Sequence, residues 1–229
     1  MTTTTTTTTI SKKTLEILKN FSAINSNILV KTGKVLTTVS PVKNVMAIAS
    51  VSEDFDVEFG IWDLNKLLGT ISLFDSPEFE FHENFVKIIS GSSEVVYYYS
   101  EPKLLTTTSK EVTMPDGVVT FTLKQSDFSE LQKAASVMQL ADLVVRSNGS
   151  EVELAVLDKN DATSNTFSIT LENVTTDADF DFYFKVENLK MISGDYDVVI
   201  SEKGVSQLTN TTDDIVYWIA LETDSKYNG

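Results

Sequence analysis

From Ile10 onward the apolar positions follow two periods, and each switch between them marks an element. Leu15, Leu18, Phe21 and Ile24 recur at helical spacing behind Ser11, a residue type that caps helices. At about 100° per residue, Ile17, Leu18, Phe21 and Ile24 share one side of that helix, while Lys12, Lys19 and Ala23 fall nearly opposite. Short apolar or alternating runs at 28–31, 35–39 and 45–52 read as strands. Phe55, Val57, Phe59 and Ile61 then face one way, with Asp54, Asp56 and Glu58 facing the other, as in a half-buried antiparallel strand. Residues 63–68 read as a short second helix closed by Gly69. Strands are predicted at 70–74, 78–81, 86–90 and 95–99.

The order then repeats. DFDVEFGIWDLNKLLG (54–69) and DFDFYFKVENLKMISG (179–194) align at an offset of 125, with identities at Asp54/Asp179, Phe55/Phe180, Asp56/Asp181, Phe59/Phe184, Leu64/Leu189 and Gly69/Gly194. A helix predicted over 126–139, capped by Ser126 or Asp127, matches the first helix at an offset of 114 through Glu16/Glu130, Lys19/Lys133 and Ser22/Ser136. The step from 114 to 125 implies about eleven extra residues in the second copy, expected near 158–165. Strands follow at 143–146, 152–157, 166–171 and 180–186, then a short helix at 187–192 and strands at 196–201, near Gln207 and at 216–222.

The expected fold class is therefore α+β, two similar modules each with two helices packed on antiparallel β-sheets. The expected division is a disordered threonine tract over 1–9, a first module over 10–102, a connector over 103–117 and a second module over 118–229. Thr2–Thr9 is a homopolymer that cannot bury a core, and the segment 101–117 holds two of the four prolines and a Thr/Ser run. A chain of 229 residues suits two such modules.

Charge changes the picture once it is placed. The net charge is −15, which argues against nucleic acid if it is spread evenly. The four helical segments, taken as 11–25, 63–69, 124–139 and 185–193, hold eight lysines and five acids, and everything else is strongly acidic. A lysine-bearing helix surface on an otherwise acidic protein can hold a phosphate backbone loosely. The same lysines could equally do no more than solvate exposed helix faces.

Most catalytic chemistry lacks its residues. The chain has no cysteine, so disulfides, thiolate zinc sites and cysteine nucleophiles are excluded. His82 is the single histidine and reads as a surface residue. Asp54 with Asp56, and Asp179 with Asp181, could be drawn as metal-binding carboxylate pairs, but their alternation with Phe55, Phe180 and Phe182 makes them the wet face of a strand. Trp62, Trp218 and the run Tyr97, Tyr98, Tyr99 lie in or beside strands and read as core or interface residues. No phosphate-binding glycine loop occurs. The expectation is a non-enzyme without cofactor or metal. No apolar run is long enough for a transmembrane helix and the start lacks a secretory pattern, so a cytosolic protein is expected.

Four stretches carry a family resemblance: LKNFSAINSNILVKTGKV (18–35), DFDVEFGIWDLNKLLGTISL (54–73), NLKMISGDYDVVI (188–200) and YWIALETDS (217–225). In order and spacing the chain resembles the sliding clamps of T4-type bacteriophages, the processivity factors of replicative DNA polymerases. The resemblance implies a DNA-clamp fold, with three subunits closing head-to-tail into a ring around duplex DNA. It implies DNA-facing roles for Lys12, Lys13, Lys19, Lys66, Lys124, Lys133, Lys185 and Lys190, and a partner-binding pocket at the connector with Leu104, Leu105, Val112, Met114 and Pro115. These five could instead simply pin the connector to the core. The implied partners are the replicative polymerase, an ATP-dependent clamp loader, late-transcription factors and further copies of the chain, in the cytoplasm of an infected bacterium. Two other classes compete: a structural trimeric virion protein with two β-rich modules, and a hydrolase built on the Asp pairs.

Overall fold

Ser11 starts the first helix because its hydroxyl accepts the Thr14 amide, satisfying one of the donors that a helix leaves open at its start. The computed structural model describes residues 7–108 and 112–229. The expectations that fall on residues 1–6 and 109–111 lie outside the described residues. The chain divides into two compact units, Met1–Lys110 and Glu111–Gly229.

In the first unit, β1 (Thr7–Thr9) leads into α1 (Lys12–Ile24). Strands β2 (Ile28–Val30), β3 (Gly33–Val39), β4 (Val45–Phe55) and β5 (Phe59–Ile61) follow, then α2 (Leu64–Ile71), β6 (Glu78–Phe81), β7 (Phe85–Ser90) and β8 (Ser93–Tyr98). β1, β6, β7 and β8 form an antiparallel sheet in that order, β2 pairs with β5, and β3 with β4. α1 buries Ile17, Leu18, Phe21 and Ile24, each contributing about 2 kcal/mol of hydrophobic stabilisation. Phe59 stacks on Phe81 at 5.1 Å, and Phe55 meets both rings edge-on at 5.7 Å.

The second unit runs β9 (Val119–Leu123), α3 (Gln125–Met138), β10 (Asp142–Asn148), β11 (Glu151–Leu157), β12 (Phe167–Thr175) and β13 (Asp179–Lys185). It continues with β14 (Tyr196–Ser201), β15 (Val205–Asn210), β16 (Ile215–Ala220) and β17 (Lys226–Asn228). β12, β11, β10, β13 and β17 are neighbours in that order, as are β9, β14, β15 and β16, all antiparallel. Phe180, Phe182 and Phe184 point into the core from alternate positions of β13.

Several expectations need correction. Thr7–Thr9, expected within a disordered tract, is a strand paired with β6, because β-branched threonine suits an extended edge. The predicted strand at 55–61 breaks, with β4 ending at Phe55 and β5 starting at Phe59. The strand expected at 70–74 is absent: α2 runs through Gly69 to Ile71, since Leu64, Leu67 and Ile71 keep one helical face buried past the glycine, and residues 72–74 form a turn. α3 starts at Gln125, so that both expected caps, Ser126 and Asp127, lie within its first turn; the Gln125 amide is taken by Asp195 Oδ1 at 2.7 Å.

The helix expected at 187–192 is only a 3-10 turn, Val186–Asn188. Two buried tyrosines explain this. Tyr196 donates its hydroxyl to the Ile192 carbonyl at 2.7 Å, and the Tyr217 hydroxyl accepts the Ile192 amide at 3.2 Å. Backbone groups that would extend a helix are thereby bonded elsewhere. Among its described residues the second unit thus has one α-helix where two were expected. Strands β9 and β17 were not foreseen.

Candidate nucleic-acid interface

α1 presents an exposed stripe because its buried residues occupy the opposite side. Lys12, Lys13, Glu16, Lys19 and Ala23 are exposed, while Thr14, Ile17, Leu18 and Phe21 are buried. Lys12 and Lys19 stand on one wall of an open groove of about 920 Å³, whose other wall includes Asn65, Leu68 and Ile71 of α2. Lys66 is exposed one residue along from Asn65, in the first turn of a helix whose cap is the Asp63 carboxylate, 2.9 Å from the Lys66 amide.

The start of α1 is held from beneath. The Glu53 carboxylate of β4 accepts the Ser11 amide at 2.5 Å and the Thr14 hydroxyl at 2.5 Å, with the Ser52 hydroxyl at 3.1 Å. Burial alone would raise the Glu53 carboxyl, but the bonds from Thr14 and Ser11 outweigh it and hold the group below the usual carboxylate range. A negative charge therefore sits at the positive end of the helix dipole without using a position on the exposed stripe.

In the second unit Lys124, Lys133 and Lys190 are exposed. Lys185 is half-buried and ion-paired: its Nζ lies 2.6 Å from Oδ1 of Asp142, a fully buried carboxylate that requires a counter-charge. On α3 the exposed residues around Lys133 are Ser126, Ser129, Glu130, Gln132, Ser136 and Val137.

The connector residues separate. Leu105 is buried and abuts Gly60, where an added Cβ would lie 2.7 Å from the leucine Cδ1. It pins the connector to the first unit. Leu104 is 58% exposed, and Val112, Met114 and Pro115 are half-buried in the second unit. What sequence reasoning missed is the anchoring of Thr106. Its amide donates to Asn27 Oδ1 at 2.9 Å, and its carbonyl accepts Asn25 Nδ2 at 3.2 Å. The AINSN stretch that ends α1 was legible as a helix end, but nothing in it indicated a partner some eighty residues away.

Asp54, Asp56 and Asp179 are exposed and Asp181 half-buried, and among the described residues no group of three or more acidic, histidine or cysteine side chains could hold a metal. His82 is half-buried and stacks on Phe85 at 4.4 Å, with Nε2 3.5 Å from Glu80. Among the described residues no helix is long and apolar enough to cross a membrane.

The family model described as gp45 sliding clamp, C terminal, matches residues 120–223. The sliding clamp of Vibrio phage KVP40 is 30% identical over 219 residues, covering 93% of this chain and 98% of the relative. That of Escherichia phage RB69 is 26% identical over 225 residues, covering 96% and 99%. Among solved structures, PCNA of A. fulgidus bound to the C-terminal region of FEN-1 matches with a TM-score of 0.70 at 14% identity, covering 93% of this chain and 96% of that one. At that identity the likeness concerns the fold alone. The full-length match at 30% identity decides the question: the chain belongs to the sliding-clamp family of T4-like bacteriophages.

Proposed function

We propose that three copies of this chain close head-to-tail into a ring that encircles duplex DNA and tethers the replicative polymerase, so that processivity comes from topology rather than grip. The family is one of non-catalytic processivity factors. The observation that carries the reading is the pairing of family membership with lysine-bearing helix faces in a protein of net charge −15. Such faces give weak, sequence-independent phosphate contacts that permit sliding, whereas base contacts would hinder it.

Assembly is supported by two sheet ends. β8 closes one end of the β1–β6–β7–β8 sheet and β12 one end of the five-stranded sheet of the second unit. Exposed apolar side chains accompany them: Tyr98 on β8 at 71%, Leu73 after α2 at 74% and Val137 on α3 at 75%. Pairing β8 of one copy with β12 of the next would cover both edges and make a heterologous joint that closes by rotation. Leu104, Val112, Met114 and Pro115 remain the apolar connector residues offered to polymerase and loader tails, and late-transcription factors are proposed to use the same ring. An ATP-dependent loader would open it in the cytoplasm of the infected bacterium.

The test is topological. After loader action the protein should stay on nicked circular DNA and run off once the circle is linearised. Equal retention on both forms would sink the ring reading.

A further inference from the structure

The internal repeat allows the two lysine-bearing faces to be compared position by position. At the offset of 114, Glu16 and Lys19 of α1 recur as Glu130 and Lys133 of α3, so the middle of the two helices carries the same charges. The first turns do not agree. Lys12 and Lys13 of α1 correspond to Ser126 and Asp127 of α3.

Helix physics favours the arrangement in α3. Acids at a helix start complement the dipole and lysines there oppose it. α1 has no acid in its first turn, yet the turn is intact because Glu53, reaching in from β4, supplies the negative charge from the buried side. The lysines on the exposed side are therefore not what completes the charge at the helix start. Glu16, the acid on that face, already has Lys13 at 3.5 Å.

The helical segments of the second unit are balanced instead. Lys124, Lys133 and Lys190 share their helical segments with Asp127, Glu130 and Glu187, and Lys185 is committed to buried Asp142. We propose that the first unit of each subunit holds the DNA backbone, through Lys12, Lys19 and Lys66, while the helical segments of the second unit, with no surplus of positive charge, contribute little to holding it. The proposal rests on the clamp reading above. A trimeric ring would then touch the duplex at three basic sectors rather than six.

Two triple variants test it, each removing three positive charges so that the change in net charge is the same. One is Lys12→Gln, Lys19→Gln, Lys66→Gln; the other is Lys124→Gln, Lys133→Gln, Lys190→Gln. Binding of a short fluorescein-labelled duplex is followed by anisotropy over a salt series, with subunit mass checked by light scattering. The first variant should bind about tenfold more weakly, with a salt slope shallower by about 3, and the second should lose less than about twofold. The corresponding Lys→Arg triple in the first unit should bind like the parent. Equal losses in both Gln variants, or the larger loss in the second, would overturn the proposal. A parent protein that neither binds the duplex nor stays on loaded circles would remove the clamp reading itself, an outcome distinct from equal losses.

Discussion

Lys185 Nζ lies 2.6 Å from Asp142 Oδ1, while Oδ2 of the same buried carboxylate accepts the Lys159 amide at 3.2 Å. Asp142 opens β10 and Lys185 ends β13, and the two residues face each other in the register of those strands. Removing the lysine leaves a carboxylate without its counter-charge inside the protein. Lys185→Met is expected to destabilise the second unit by on the order of 3 kcal/mol, read as a shift of the chemical-denaturation midpoint, and Asp142→Asn with Lys185→Met should recover part of the loss. Duplex binding at a temperature where the variant is folded should be unchanged, because this lysine does not face solvent freely.

Glu53 makes the first unit acid-sensitive. Its carboxyl titrates below the usual range in the folded state, so the charged form is the one that folding favours. That contribution is complete above the unfolded value, near 4.5, and disappears as the pH falls through the depressed folded value. Glu53→Gln should therefore be less stable than the parent at neutral pH by about 1–2 kcal/mol. The gap should narrow steadily on acidification below the ordinary carboxylate range. Thermal melts at a series of pH values measure this directly, and a gap independent of pH would contradict the assignment.

The C-terminal segment is fastened by Lys159. Its Nζ is 2.7 Å from Asp224 and 3.2 Å from Glu222, and lies 5.5 Å from the centre of the Tyr183 ring. Nearby, the Glu222 amide bonds the Tyr183 carbonyl, and the Ser225 hydroxyl accepts the Tyr183 amide. The bond to Lys159 holds the Asp224 carboxyl below its usual range, so this fastening weakens in acid. β17 itself is held by three residues of pairing with β13 and by the Tyr227 ring stacked on Phe180 and Phe182. Lys159→Met should accelerate hydrogen exchange at β17 and at Glu222 by about tenfold, leaving α3 and β14–β16 protected as in the parent.

How much of this was visible in the sequence depends on the range of the interactions involved. The α1 stripe, the β13 alternation of Phe180, Phe182 and Phe184 with acids, and the repeat were legible because each is a local period enforced by one buried face. Gly69 misled because glycine punctuates helices only when the apolar period ends there, and Ile71 continued it. The missing second helix of the second unit was not legible, since it depends on Tyr196 and Tyr217 hydroxyls reaching Ile192 from other strands. Lys185 looked like its neighbours in a lysine-rich pattern. Only the pairing of β10 with β13 revealed a buried acid opposite it. Leu105 and Thr106, likewise, are fixed by Gly60, Asn25 and Asn27, contacts that no local pattern records.

The proposed joint yields the prediction with the widest consequence. Tyr98 is 71% exposed at the last position of β8, and its ring lies 5.8 Å from Phe85, so the tyrosine is supported from behind while its outer face is bare. An aromatic held in that way loses little entropy when a partner covers it, which is why such residues dominate interface energies. Tyr98→Lys should leave the melting temperature of the subunit within about a degree, since a solvent-facing side chain contributes little to its own fold. Assembly should suffer far more, by about 2 kcal/mol per joint, or roughly thirtyfold in the dissociation constant. Val42→Lys, at the tip of the turn between β3 and β4 and 77% exposed, provides the matched control, because it adds the same charge away from either sheet end. Light scattering over a dilution series would then show the Tyr98 variant falling to a 25.4 kDa subunit at concentrations where the parent and the Val42 variant remain trimeric. Identical dissociation of all three proteins would place the joint elsewhere than β8.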